Sequence, residues 1–316
     1  MERGTIAPPA RRRVRASWTL VLLLAALPWT WWLLRDGLGV VGDVVAIVLP
    51  VLAVVLAVAA LAVLGRRGLV PAVSVLLAAA LATLAPWTPE DAAPVRPGAG
   101  VTVASANVTA TPATVPALRD NAAEVLAVVE NTPAIDAAVA AGYPYHLFAD
   151  STPSVGVYSR YPLRLLQDPG PGFPGMRVAV AAPTPFVLYA MHVPKPWFSG
   201  SGGYWTTPGE HHRLVEDLAA QAAAEPGPVV VAGDLNSTDR ARDYRLLVGD
   251  GLTDVMRSRW TGPTSVTMWR AFLLRIDHVL VGHGWCGQAP RQFVLPHSDH
   301  DGITATVGPC TVTPGG

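Results

Sequence analysis

The sequence predicts an α+β layered domain preceded by three membrane-spanning helices, and three observations carry that expectation. Of the 316 residues, 51% are hydrophobic and only 15% charged, with a mean hydropathy of +0.35, too apolar for an ordinary soluble chain. The excess is concentrated between Trp18 and Trp87, which is almost free of charge, whereas the chain beyond Thr88 has the composition of a globular domain. In that second part short β-branched runs recur, with segments of helical period between some of them.

The apolar part divides into three runs, Trp18 to Leu34, about Val44 to Leu64, and Leu69 to Trp87, each close to the roughly 20 residues needed to cross a bilayer. Arg11, Arg12, Arg13 and Arg15 precede the first run, and Arg66 and Arg67 separate the second from the third. The positive-inside bias places both clusters in the cytoplasm and everything after Trp87 outside. Trp29, Trp31, Trp32 and Trp87 fall near the outer ends of their runs, where an interfacial belt or core packing would use them. The first run also has the form of a cleavable signal peptide, although no clear small-x-small cleavage site follows it. Cleavage would leave the later domain on the same side, because the other two runs form a hairpin.

Residues 1–16 therefore read as a cytoplasmic basic tail, 17–87 as the anchor, 88–100 as a Pro/Gly/Ala-rich extended tether, 101–308 as the folded domain and 309–316 as a tail. A little over 200 residues suffice for one core. Of the 23 Lys and Arg, eight lie between Arg3 and Arg67, leaving 15 beyond Thr88; of the 23 Asp and Glu, only Glu2, Asp36 and Asp43 precede it, leaving 20. That acidic balance lacks the basic footprint of proteins that grip nucleic acid without sequence preference, so nucleic acid is a disfavoured partner. Cys286 and Cys310 would form a disulfide in an oxidising compartment or remain two buried thiols, and spacing alone does not choose.

Within the domain, strands are expected over Val101 to Val108, Ser154 to Ser159, Met176 to Ala181, Phe186 to His192, Val229 to Ala232, Ile276 to Val281 and Ile303 to Val307. Helices are expected over Pro116 to Val129 and Gly209 to Ala224. Polar residues stand at the ends of these elements: Asn107 closes the first strand, Glu130 follows the first helix, and His192 ends LYAMH. Gly233-Asp234-Leu235-Asn236 follows VVVA, Asp277 opens the next strand after Arg275, and Ser298-Asp299-His300 precedes the last. Singly, an Asp-x-Asn is turn chemistry and a terminal His is solvated. As a set of Asn, Asp, Glu and His at element termini, they match what a hard divalent cation and a phosphate ester require.

In this order the residues resemble the endonuclease/exonuclease/phosphatase superfamily, over about Val101 to Val307. Gly156-Val157-Tyr158-Ser159-Arg160-Tyr161-Pro162-Leu163 is similar to a strand end of that family as well. The resemblance implies a four-layer α/β/β/α sandwich of the DNase I type, with its active site where two sheets meet. It implies that Asn107, Glu130 and Asp299 hold Mg²⁺ or Mn²⁺. It further implies that Asp234 and Asn236 orient the attacking water and the phosphoryl oxygens and that His192 donates to the phosphate. His300 would be the acid/base imidazole oriented by Asp277. The family commonly has Gln before the metal Glu, where this chain has Val129, and Asp301 stands where a small polar or basic residue is usual.

Fold and metal site do not select a substrate. The anchor, the acidic domain and the aromatic Gly-rich segment from Pro196 to Trp205 favour a membrane-proximal one, and Trp269 to Leu274 is a second apolar loop. Either loop would reach the interface, cover an isoprenoid chain or simply pack. His211-His212-Arg213 would open a helix or bind phosphate. The whole arrangement resembles the actinobacterial membrane phosphatases similar to the glycopeptide-resistance protein VanJ, which implies a polyprenyl pyrophosphate or related phosphorylated lipid as partner. The competing expectations are a tethered extracellular nuclease and a catalytically silent sensor domain.

Overall fold

A computed structural model describes residues 17–197, 204–265 and 268–311, without the side chains of Met268 and Trp269. The chain opens with three apolar helices, α1 (Trp18–Leu34), α2 (Val40–Leu64) and α3 (Leu69–Leu84). Ser17 caps α1, its hydroxyl accepting from Leu20 N at 3.3 Å. Gly65, at φ +58°, ends α2, and a tight turn over Gly65–Gly68 starts α3. A Cβ on Gly68 would lie 2.2 Å from the Ala60 carbonyl oxygen, so only glycine allows so close a turn. Small residues then let α2 and α3 approach, with Ala53 and Ala57 packed against Ala72, Ala79 and Ala82. α1 is fastened to α3 by the Trp29 indole, which donates to Ser74 Oγ at 2.9 Å, while Ser74 donates to Ala25 O at 2.6 Å.

The helical stretch Val40–Trp87, which doubles back at Gly65–Gly68, is long and apolar enough to cross a membrane. Trp18–Leu34 is apolar but shorter, so three separate crossings are not established by length and composition. Trp87 is 4% exposed and its indole donates to Asp239 Oδ2 at 2.8 Å. Of the interfacial and packing readings, that favours packing for this residue, whose ring is buried against the domain. The first arginine cluster lies in residues 1–16, outside the described residues.

The domain continues as β1 (Val101–Asn107), α4 (Val115–Asp120), β2 (Val125–Val129), α5 (Pro133–Ala140), β3 (Tyr145–Ala149), β4 (Val155–Ser159), β5 (Leu163–Gln167), β6 (Gly175–Val180) and β7 (Phe186–His192). The short pair β8 (Lys195–Pro196) and β9 (Trp205–Thr206) follows. The remaining elements are α6 (Pro208–Ala223), β10 (Val229–Asp234), α7 (Arg242–Gly249), β11 (Thr253–Asp254), β12 (Asp277–Gly282), β13 (Trp285–Val294) and β14 (Asp301–Pro309). Two six-stranded sheets result, in the orders β13-β14-β1-β2-β4-β3 and β11-β12-β10-β7-β6-β5.

Strand alternation builds the layers. Val101 and Val103 of β1, Val125, Ala127 and Val129 of β2, Leu188 and Ala190 of β7, Val230 and Ala232 of β10, and Val279 and Val281 of β12 form the core between the sheets. The opposite faces are covered by α4 and α5 on one side, through Leu118, Ile135 and Val139, and by α6 and α7 on the other, through Leu214, Val215, Leu218 and Leu247. This is the α/β/β/α sandwich. α6 shows how sequence sets such a layer: Thr207 Oγ1 accepts from Glu210 N at 3.2 Å and Pro208 fixes the first turn. Its apolar stripe then buries leucines worth about 1.5–3 kcal/mol each.

The expected helix over Pro116 to Val129 is a short helix followed by strand β2. Ala122, at φ +54°, breaks the helix. Val125 to Val129 then pair with β1 and β4 and are buried on both faces, where an unbroken apolar run fits a central strand. Glu130 accordingly follows a strand. The segment 88–100 is extended but not free. Val95 N donates to Gln288 Oε1 at 3.1 Å, Arg96 N to Pro309 O at 2.8 Å and Thr311 N to Pro94 O at 2.8 Å. Cys286 and Cys310 are joined as a disulfide beside this clip.

Candidate active site

Asn107, His192, Asp234 and Asp277 each occupy the terminal position of the alternating series whose other members form the inter-sheet core. The same side-chain phase that buries Val103, Ala190, Ala232 and Val279 therefore aims these polar groups into the end of the core. Register sets them side by side, Asp234 being paired with His192 of β7 and with Asp277 of β12. Asn107 reaches across from the first sheet, its Nδ2 donating to Asp234 Oδ2 at 3.0 Å and to Glu130 Oε1 at 3.1 Å.

Gly233 makes this convergence possible, since a Cβ there would fall 1.9 Å from the Met191 carbonyl oxygen. Asn236 turns back in the left-handed region at φ +47°, which Asn tolerates. Its N–H donates to Asp234 Oδ1 at 2.9 Å and its Nδ2 to Val193 O at 2.9 Å. Glu130 and Thr109 are also left-handed, at φ +50° and +47°, and the Thr109 N–H donates to Asn107 Oδ1 at 3.0 Å. Backbone strain is thus gathered around the cleft.

His300 Nδ1 lies 2.8 Å from Asp277 Oδ2, and its Nε2 lies 3.6 Å from Asp234 Oδ2 and 3.9 Å from Asp299 Oδ1. Burial alone would lower the imidazole, but Asp277 and Asp234 outweigh it and raise it to about 10. Burial pushes Asp234 upward and Asp277 adds to the rise, while His300 and the N–H groups of Asn236 and Asn107 oppose it. His192 is the opposite case: burial, then the charges of His300 and Lys195, lower it to about 3, leaving a neutral ring. Its Nε2 is buried without a hydrogen-bond partner, 3.6 Å from Glu130 Oε1 and 3.8 Å from Asp234 Oδ2.

All eight residues singled out in the sequence are brought into one connected cluster. Asn107, as arranged, bridges two carboxylates as a donor, while its oxygen faces the Thr109 backbone. Glu130 and Asp299 stand at the mouth, each side chain 27% exposed. Asp299 accepts from Thr109 Oγ1 at 2.5 Å, and His300 holds it below the ordinary carboxylate range against the effect of burial. Two partly open carboxylates beside an orphaned imidazole nitrogen and an unpaired Asp277 Oδ1 suit a hard divalent cation and a phosphoryl group.

Among the described residues, two acid–imidazole groups have ligand atoms within 4.8 Å of one another, Asp234-Asp277-His300 and Asp239-Asp254-His278. The second already holds a cation, because buried Arg275 donates to Asp239 Oδ2 at 2.9 Å and also contacts Asp254. Val129 packs into the core between the sheets, so the position where the family has Gln makes no polar contribution.

Residues 104–300, more than half of the chain, match the sequence pattern of the Endonuclease/Exonuclease/phosphatase family. The chain belongs to this endonuclease/exonuclease/phosphatase family. The fold is similar to that of the endonuclease/exonuclease/phosphatase from Beutenbergia cavernae DSM 12333, 18% identical, with a TM-score of 0.52 over 69% of this chain and 73% of that one. It is also similar to D. rerio TDP2 humanized by 14 mutations, 16% identical, with a TM-score of 0.51 over 66% of this chain and 99% of that one. At these identities the likeness is one of fold. No curated protein matches the chain in sequence.

Endonuclease/exonuclease/phosphatase members are generally metal-dependent phosphoester hydrolases, and this chain has their fold and an acid–imidazole cluster able to hold a metal. Sequence reasoning named Ser298 only as part of a terminal motif and missed Thr264, and both position the cluster. Ser298 donates to Asn107 O at 2.8 Å, and Thr264 Oγ1 accepts from the backbone N–H of Asp277 at 3.1 Å. It also missed Lys195, the sole lysine of the sequence, which lines a cavity of about 80 Å³ with Asn236, Asp299 and His300. His211 is a helix residue, buried between Pro194 O and Ser237 Oγ at 2.8 and 2.9 Å. Of the aromatic loop, Phe198 to Gly203 lie outside the described residues.

Proposed function

We propose that the chain is a membrane-anchored, divalent-metal-dependent phosphoesterase that hydrolyses a phosphorylated, lipid-linked substrate of the polyprenyl pyrophosphate class at the outer face of the cytoplasmic membrane. This is the reading that the similarity to VanJ-type phosphatases implies. One observation carries it: the cavity holding Asn236, Asp299 and His300 is walled by Pro196, Trp197, Trp205 and Leu274, so phosphate chemistry and an apolar surface share one cleft. The acidic balance of residues 88–316 disfavours nucleic acid.

Several contacts support three crossings with the domain outside. Asp36, Asp43 and Trp87, at one end of the helices, contact the catalytic domain, whereas the Arg67 guanidinium lies 5.4 Å from the Trp18 ring at the other. Arginines at the end away from the domain are what the positive-inside bias requires. The disulfide suits an oxidising compartment.

Glu130 and Asp299, with Asn107 beside them, would hold Mg²⁺ or Mn²⁺, which supplies positive charge against the phosphoryl oxygens. His192, kept neutral, donates through Nε2 to a phosphoryl oxygen. Asp234, raised by burial, takes a proton from the attacking water, and Asn236 orients that water. His300, kept charged between Asp277 and Asp234, stabilises the developing negative charge and gives its Nε2 proton to the leaving oxygen as the phosphorus–oxygen bond to it breaks.

The deciding experiment is a panel of prenyl pyrophosphate, sphingomyelin, inositol phosphate and plasmid DNA, with and without chelator. Phosphate release from prenyl pyrophosphate, abolished by chelator, is the expected result. Ready cleavage of DNA with an inert prenyl pyrophosphate would overturn the proposal.

A further inference from the structure

Helix α2 does more than join the domain to the other helices. Pro50 lies inside α2 and has no N–H, so the carbonyl four residues earlier, that of Ala46, loses its helical partner. Arg240 takes its place, Nε donating to Ala46 O at 2.8 Å, while the rest of the guanidinium reaches Leu273 O at 3.0 Å and Phe272 O at 2.8 Å. One turn earlier Arg242 grips Asp43, with Nε to both carboxylate oxygens at 3.1 and 3.0 Å, and Arg245 pairs with Asp36. The freed carbonyl and the acidic residue share one face of α2, fixing its rotation against the domain.

Ile47, four residues after Asp43, consequently enters the wall of the catalytic cavity together with Trp205 and Leu274, with Asp299 and His300 lining the same space. We propose that α2 completes the substrate pocket, and that Ile47, Trp205 and Leu274 hold the hydrocarbon chain beside the scissile phosphate. This rests on the lipid-linked reading above and adds to it a specificity-determining residue supplied by the anchor. A single prenyl chain is the occupant that fits, because the apolar wall is continuous with the polar groups of Asn236, Asp299 and His300.

The test uses the full-length protein in phospholipid vesicles with dimethylallyl, geranyl and farnesyl diphosphate and, as a soluble ester, bis(p-nitrophenyl) phosphate. In the wild type kcat/KM rises with chain length, by about tenfold for each step in which the pocket gains contact. Ile47→Trp fills the cavity and abolishes that rise, so that kcat/KM no longer depends on chain length whatever its loss on the soluble ester; Ile47→Leu keeps the rise. As a second measurement, Ile47→Cys, reduced only under conditions that leave the native disulfide intact, is labelled by a maleimide. Farnesyl diphosphate slows that labelling and inorganic phosphate does not. A chain-length rise that survives Ile47→Trp, or labelling indifferent to farnesyl diphosphate, overturns the inference. If the wild type hydrolyses all three diphosphates equally, the lipid-pyrophosphate function stands and the pocket does not. If it hydrolyses none while cleaving the soluble ester, the proposed function itself fails.

Discussion

Arg275 and Asp239 form a buried ion pair two residues from Asp277, and Asp239 also accepts the Trp87 indole N–H. One carboxylate thus joins the last turn of the anchor to the strand that orients His300. Arg275→Met would leave Asp239 and Asp254 buried without their cation. The expected loss is about 3–5 kcal/mol of folding stability, measured by denaturant unfolding in detergent. A loss below about 1 kcal/mol would show that the cluster is not a stabilising unit.

The same cluster sets an acid limit. Burial would raise the Asp254 carboxyl, but Arg275 and His278 outweigh it and hold it well below the usual range. A depressed carboxyl contributes stability that is complete above its unfolded pKa of about 3.9 and is lost as pH falls toward its folded value. The melting temperature should therefore drop steeply below about pH 4. Asp254→Asn should flatten that limb while lowering the neutral-pH plateau.

Asp277→Asn keeps the shape of the pair but removes the charge that holds His300 protonated. We expect kcat to fall by about 10²–10⁴ with little change in KM. The alkaline limb of the rate profile should also move to lower pH, because the imidazole loses its main support. An unchanged limb would assign that ionisation to another group.

Glu130→Gln replaces one candidate metal-holding carboxylate by a neutral isostere. The concentration of Mg²⁺ or Mn²⁺ giving half-maximal activity should rise at least about tenfold, and saturating metal should restore part of the rate. Chelator should abolish wild-type hydrolysis.

Lys195 lies beside Asp299 in the cleft as its one lysine. Lys195→Met should raise KM for a pyrophosphate substrate by about 10–100-fold, the worth of one charge-assisted contact. A monoester, with one phosphoryl group fewer, should be affected less; equal effects on both would place the lysine at the scissile phosphate.

The strands that place the cleft were legible because Val101 to Asn107, Phe186 to His192 and Val229 to Asp234 are β-branched runs closed by a polar residue in phase with the core. Val125 to Val129 was misread because a doubly buried apolar run satisfies helical and strand periods alike, and only its partners decide. Trp285 to Val294 escaped notice as an edge strand, rich in polar residues and interrupted by a bulge after Gln288. The cluster, with Ser298, was legible as a set of termini, but Thr109, Thr264 and Arg240 were not. Their roles are to hold other residues in place, and a hydroxyl or guanidinium with that task carries no local pattern. The disulfide, undecided by spacing, follows from β13 and the end of β14 lying side by side.

Pro94 to Arg96 and Pro309 to Thr311 form a single seam, closed by reciprocal backbone bonds and by Cys286–Cys310. Both ends of the catalytic sandwich's chain therefore leave from one border. A pull from the anchor reaches these links before it reaches Val101, so the first strand is shielded by a closure that the end of the last strand provides.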